Sequence, residues 1–137
     1  MNRFAGTTSA ERESLIVAAI RAHRERQSPY LTVEAEPEAD SERTGEANGG
    51  PPPWIQYRDR DDRLNLDCTA AELSSIRAAV DRIGGVHITE QESVETGGTN
   101  LRIGVSGEDE RVAHVIEQLL VDGFGLPADH RLWATEI

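Results

Sequence analysis

The sequence predicts an α+β fold, with helices packed on an antiparallel sheet. Three observations carry that expectation. Residues 63–137 alternate between two hydrophobic periods in the order strand, helix, strand, strand, helix, strand. The helical stretches begin and end at recognisable capping and glycine signals. An acidic stretch rich in Gly and Pro separates this run from a shorter helix and strand before it, and 137 residues suit one domain that contains such an insert.

The first helix is marked by Thr8 and Glu11, which have the capping-box spacing. Leu15, Ile16, Ala19 and Ile20 follow on one face, which Ala22 and His23 extend. Pro29 cannot continue a helix, so this one should stop near Gln27. Arg21, Arg24 and Arg26 make its end basic. Cations complement a helix C-terminus, and the alternative is that this end docks on acidic surface elsewhere in the chain. Tyr30-Leu31-Thr32-Val33 is rich in β-favouring residues and reads as a strand. Residues 34–53 carry six acids and one Arg and show no apolar period, so they read as a solvated loop or disordered spacer within a single domain spanning 1–137.

Trp54-Ile55-Gln56-Tyr57 reads as a strand, and Arg58 to Asp62 as a polar turn. In Arg63-Leu64-Asn65-Leu66-Asp67 the two leucines share one face and Asn65 the other. The two strands could form a hairpin. Thr69 and Glu72 give a second capping box, and Leu73, Ile76, Val80 and Ile83 a helical face that Gly84-Gly85 ends. Val86, Ile88 and Glu90 outline a strand. Gly97-Gly98 lies in a turn, and Leu101, Ile103 and Val105 alternate strictly. Ser106-Gly107-Glu108-Asp109 starts a helix with the stripe Val112, Val115, Ile116, Leu119 and Leu120, which Gly123 and Gly125 break. Residues Arg131–Ile137 return as a strand.

From Arg63 onward the order β-α-β-β-α-β is the ferredoxin-like one, with an extra N-terminal helix and one or two extra strands. In that fold the first strand already has two neighbours. A strand at 54–57 therefore either joins an edge or changes the sheet order, and a related open α+β sheet of five or six strands is the alternative.

Composition narrows the setting. Twenty-five acids stand against 14 basic residues, all Arg, with no Lys, for a net charge of −11. In molar salt the Debye length is about 3 Å, so such a surface does not repel itself. Arg also carries less hydration than Lys and pairs bidentately with carboxylates. The composition points to a halophile's cytosol. It argues against a general surface for nucleic acid or for an anionic membrane. The single Cys excludes an intramolecular disulfide. No apolar run approaches 18 residues and the start lacks a signal-peptide core, so a soluble cytoplasmic protein is expected.

The chemistry-bearing residues do not converge. No phosphate-loop motif occurs. His23, His87, His114, His130 and Cys68 show no metal-ligand spacing, so no metal and no cofactor is expected. Cys68 precedes a helix start, where a dipole can activate a thiol, but Asp67 opposes that and a small buried Cys is the simpler reading. The carboxylate pairs Asp61-Asp62, Glu108-Asp109-Glu110 and Glu90/Glu92 have ordinary places in turns, helix starts and strands. The strand order also describes RNA-recognition modules, but the strands at 63–67 and 101–105 carry no aromatic to stack a base, and Trp54, Tyr57 and Trp133 read as core or edge cover.

In PWIQYRDRDDRLNLDCTAAEL, TNLRI and GLPADHRLWATEI, and in the opening AHRERQSPYLTVEAEP, the chain resembles a family of small, acidic, conserved haloarchaeal proteins of unknown function. The resemblance implies a halophilic setting and supplies no catalytic or binding residues. The expectation is a non-enzymatic module that associates with itself or another protein. A ferredoxin-like module binding a small regulatory ligand is the alternative, and an enzyme using Cys68 or dispersed carboxylates is third.

Overall fold

The computed structural model describes residues 5–6, 8–26, 31–35, 54–58, 62–93, 98–105, 107–126 and 132–136. In chain order the elements are β1 (Ala5–Gly6), α1 (Ser9–Arg26), β2 (Leu31–Ala35), β3 (Trp54–Arg58), β4 (Arg63–Cys68), α2 (Ala70–Arg82), β5 (His87–Ser93), β6 (Thr99–Gly104), α3 (Asp109–Gln118) and β7 (Leu132–Glu136). The fold is α+β, as expected. The spacer begins later than expected, since Glu34 and Ala35 belong to β2. Most of it, with Tyr30, Asp61, Ser106, His130, Arg131 and Ile137, lies outside the described residues.

The helix boundaries follow from local chemistry. Thr8 and Glu11 exchange side-chain-to-backbone hydrogen bonds of 3.1 Å at the start of α1. Thr69 and Glu72 do the same for α2 at 3.2 and 2.9 Å. At the end of α2, Gly85 takes φ +79°, a conformation that costs other residues about 1–2 kcal/mol. One end differs from the sequence reading. Gly123 does not break the last helix. The chain continues through a π-helical turn, Leu119–Gly123, which the Phe124 N–H closes onto the Leu119 carbonyl at 2.9 Å. Gly123 is buried in that turn, where an added Cβ would lie 3.0 Å from Ile76 Cγ1. The wider turn thus lets the chain pass close to α2.

The described strands form one antiparallel sheet in the order β1-β7-β2-β3-β4-β6-β5. This corrects the expected ferredoxin-like order, in which β7 would lie beside β4. The antiparallel pair β2–β3 stands between them, with β2 against β7 and β3 against β4. The direction of every strand is preserved, because inserting two antiparallel strands restores the alternation. So 54–57 does pair with 63–67, and it changes the sheet order rather than joining an edge. The short β1, paired with Trp133 and Leu132, has no counterpart in the sequence reading.

Register places one apolar row across five strands: Leu31, Tyr57, Leu64, Ile103 and Ile88. The first four are fully buried. With Val33, Ile55, Leu66 and Leu101 they share a single core with Ile16 and Ile20 of α1, Ile76 and Val80 of α2, and Val112 and Ile116 of α3. The three helices therefore cover one face of the sheet.

Three polar side chains are built into that core. Arg12 donates to Glu117 through Nε at 2.8 Å and a terminal nitrogen at 2.7 Å, with both side chains almost wholly buried. Arg12 lies on the stripe that continues as Leu15, Ile16, Ala19, Ile20 and His23, so α1 can reach α3 only if the charge is met there. His23 is buried beside Tyr57, with ring centroids 6.3 Å apart.

Candidate functional site

The opposite face of the sheet is polar. Thr32, Gln56, Asn65, Arg102 and Glu90 stand in register across β2, β3, β4, β6 and β5. A neighbouring row runs Arg58, Arg63, Gly104, His87. Apart from the exposed Glu90 and His87, these residues are half-buried.

Three arginines gather on this face around a recess of about 130 Å3 lined by Gln56, Arg58, Arg63, Leu64, Asn65 and Arg102. Arg58 and Arg63 are directly opposite each other in register. Like charges so placed oppose pairing, so their position asks for a compensating anion. Glu90 supplies one, at 2.9 Å from Arg102 and 3.8 Å from Arg63. Gly104 makes room for its neighbours on β5, since an added Cβ would come within 3.1–3.3 Å of the His87 ring and the Thr89 methyl.

A second polar device sits below. The Asn100 amide donates to Asn65 Oδ1 at 2.8 Å, to the Leu66 carbonyl at 3.2 Å and to Asp67 Oδ1 at 2.8 Å. It fixes the Asn65 side chain by its oxygen, and the donor end of Asn65 is left for the recess it lines. The edge beside this face is β5. Among the described residues it pairs only with β6, and a bulge between Ile88 and Glu90 interrupts that pairing. All seven of its residues except Ile88 are exposed.

The residues singled out in the sequence fall elsewhere. Cys68 ends β4 with its side chain 2% exposed, sealed from reagents and substrates. No group of three or more His, Cys, Asp or Glu capable of holding a metal occurs among the described residues. The basic end of α1 does dock on acids: Arg21 reaches Asp109 and Glu110, and Arg24 reaches Asp109. His114 lies 3.4 Å from Glu13 between the same helices. Glu108-Asp109-Glu110 is thus mostly a docking patch for α1, and Glu90 is engaged by arginines rather than by Glu92. A larger hollow of about 750 Å3 runs along α1, where Ala10, Ser14 and Val17 are rimmed by Glu13, Arg21 and Glu110, groups largely occupied by these pairs.

Sequence reading missed the arginine recess. Its one legible signal is that Arg58, Arg63 and Arg102 occupy the polar phase of three alternating strands. Nothing local shows that β6 lies beside β4.

The described residues define a small α+β module with a helix layer on one side of the sheet and, on the other, a polar face that no described helix covers. The chain belongs to the family of unknown function DUF7975, which matches residues 1–137. No curated protein and no solved structure matches it. None of the helices among the described residues is long and apolar enough to cross a membrane.

Proposed function

We propose that the protein is a non-enzymatic association module of a halophilic, haloarchaeal cytosol, which pairs with a second copy of itself by adding strands at β5. The supporting observation is the edge itself. β5 is seven residues long, projects polar side chains on both faces and carries its backbone groups outward on one side. The opposite edge strand, β1, has two residues, too few to template a partner. Antiparallel pairing of β5 with β5 of another copy is self-complementary and closes as a dimer.

The bulge at Ile88/Glu90 confines regular pairing to the Glu90–Ser93 end. The contact is therefore small, and the dimer is transient rather than obligate. Glu90 and Glu92 of the two copies approach one another across it. Their repulsion is screened in molar salt, which ties association to the lysine-free acidic composition. Sedimentation velocity over a concentration series in molar KCl is expected to show a dimer that weakens as KCl is lowered with folding held constant. A clean monomer at the highest concentration contradicts the reading.

The ligand-binding alternative rests on a separate observation, the arginine recess. Burial of Cys68 bears only on the thiol form of the enzyme reading.

A further inference from the structure

We propose that the row Trp133, Glu34 and Trp54, on the sheet face opposite the helices, is a binding site for a small quaternary ammonium cation. The sheet register brings these residues together. Glu34 of β2 pairs with Trp54 of β3 on one side and with Trp133 of β7 on the other. Directly paired residues of an antiparallel ladder stand on one face. Glu34 alternates with the buried Val33 and Ala35, and Trp54 precedes the buried Ile55, so the row lies away from the core. The chain has two tryptophans, and both occupy register positions beside the same glutamate.

Burial and charge point the same way. Tyr57 is part of the core, whereas Trp54 is half-buried and is neither in the core nor among the residues packed against it. A large ring set off the core has its faces left for another contact. Glu34 is exposed and forms no ion pair among the described residues. Asp67, on the same face of β4, is held by the Asn100 amide at 2.8 Å rather than by an arginine. This end of the face is therefore anionic, and the row adds aromatic rings to that charge.

Spacing and chemistry select the ligand. Neighbouring strands lie about 5 Å apart, so a cation seated over Glu34 is one strand spacing from each tryptophan position. That is inside the ~6 Å over which a ring face attracts a cation, and tryptophan is the strongest such ring. A quaternary ammonium has no hydrogen-bond donors, so a ring face and a countercharge suffice for it. A guanidinium brings five N–H donors that need acceptors, and a hard metal ion needs a shell of oxygens. The row offers one carboxylate to either.

The site does not rest on the association reading. It lies on β7, β2 and β3, away from the β5 edge, so either can fail while the other stands. Both tryptophans of the chain are in the row, so intrinsic tryptophan fluorescence of the full chain reports on it directly. The titrant is choline chloride at fixed ionic strength in KCl. One comparison arm is the uncharged alcohol in which a tert-butyl group replaces the trimethylammonium, and the other is methylguanidinium chloride. A saturable change with choline, and much weaker binding of both other compounds, is expected. Calorimetry on variants gives the residue contributions. Trp54→Leu should weaken choline binding about fivefold, the scale of one exposed cation–π contact. Glu34→Gln should weaken it about threefold, the scale of an exposed ion pair. Circular dichroism melts keep the comparison to folded protein, and the titrations of the parent chain stand without any variant. The proposal is overturned by no saturable signal with choline, by the uncharged alcohol binding as tightly, or by choline binding unchanged in either variant. Methylguanidinium binding as tightly as choline overturns the quaternary ammonium assignment.

Discussion

The buried pair Arg12–Glu117 allows a sharp test of how the helix layer is held together. The two charges lie 2.7 Å apart with their side chains 1% and 2% exposed. At an effective dielectric of about 20 their attraction is roughly 6 kcal/mol. Desolvation takes back several kcal/mol per ion, so the pair as a whole contributes little. Removing one partner is a different matter. Glu117→Leu leaves a guanidinium enclosed by α1 and α3, and the cost is about 3–5 kcal/mol. For a domain of this length that corresponds to a melting temperature lower by roughly 10–20 °C. Arg12→Met should behave similarly. The double variant Arg12→Met/Glu117→Leu should recover most of the loss, because both buried charges are gone and apolar atoms fill the space. Thermal and urea unfolding of the four proteins gives the coupling, which from these costs should reach about 5 kcal/mol. The pair is buried, so the coupling should persist in molar KCl. Two single variants that each cost under about 1 kcal/mol, or a double variant whose cost is their sum, would refute the reasoning.

Other predictions follow from the caps and the surface. Thr69→Ala removes the side-chain half of the α2 capping box and should lower stability by about 1 kcal/mol in urea unfolding, with Thr69→Ser close to the parent. Asp109→Asn removes the carboxylate that Arg21 and Arg24 share, and these arginines are 59% and 39% exposed, so its cost should stay near or below about 1 kcal/mol and should shrink as KCl rises. Cys68 should resist a thiol reagent in native protein and react as urea opens the fold. Rapid labelling in the absence of denaturant would return the enzyme reading to contention.

Helix ends were legible because capping boxes and glycine stops act within a few residues. Thr8 with Glu11 and Thr69 with Glu72 set helix starts within the range of their own side chains. Strand phases were legible too: the buried Leu64, Leu66, Leu101 and Ile103 are the residues that alternation marks. Sheet order was not, because β7 can pair with β4 or with the intervening β2–β3 ladder using the same alternation, and the choice rests on packing over the whole layer. The Arg12–Glu117 pair joins positions 105 residues apart, and no local rule predicts it. Arg12 does break the apolar stripe of α1, as Glu117 does in α3, and a charge within such a stripe is a sign that it will be met. The π-helical turn at Leu119–Gly123 was hidden for a related reason. Gly123 reads locally as a stop, whereas its close approach to Ile76 of α2 makes it part of the turn.

Hydrogen exchange at β5 tests the central claim most directly. In a monomer, the amides of Glu90–Ser93 that point away from β6 exchange at rates near those of open chain. Pairing between copies should slow them progressively as protein concentration rises in molar KCl, while the amides of β4 and β6 stay unchanged. Outward β5 amides that exchange equally fast at every concentration would contradict association through this edge.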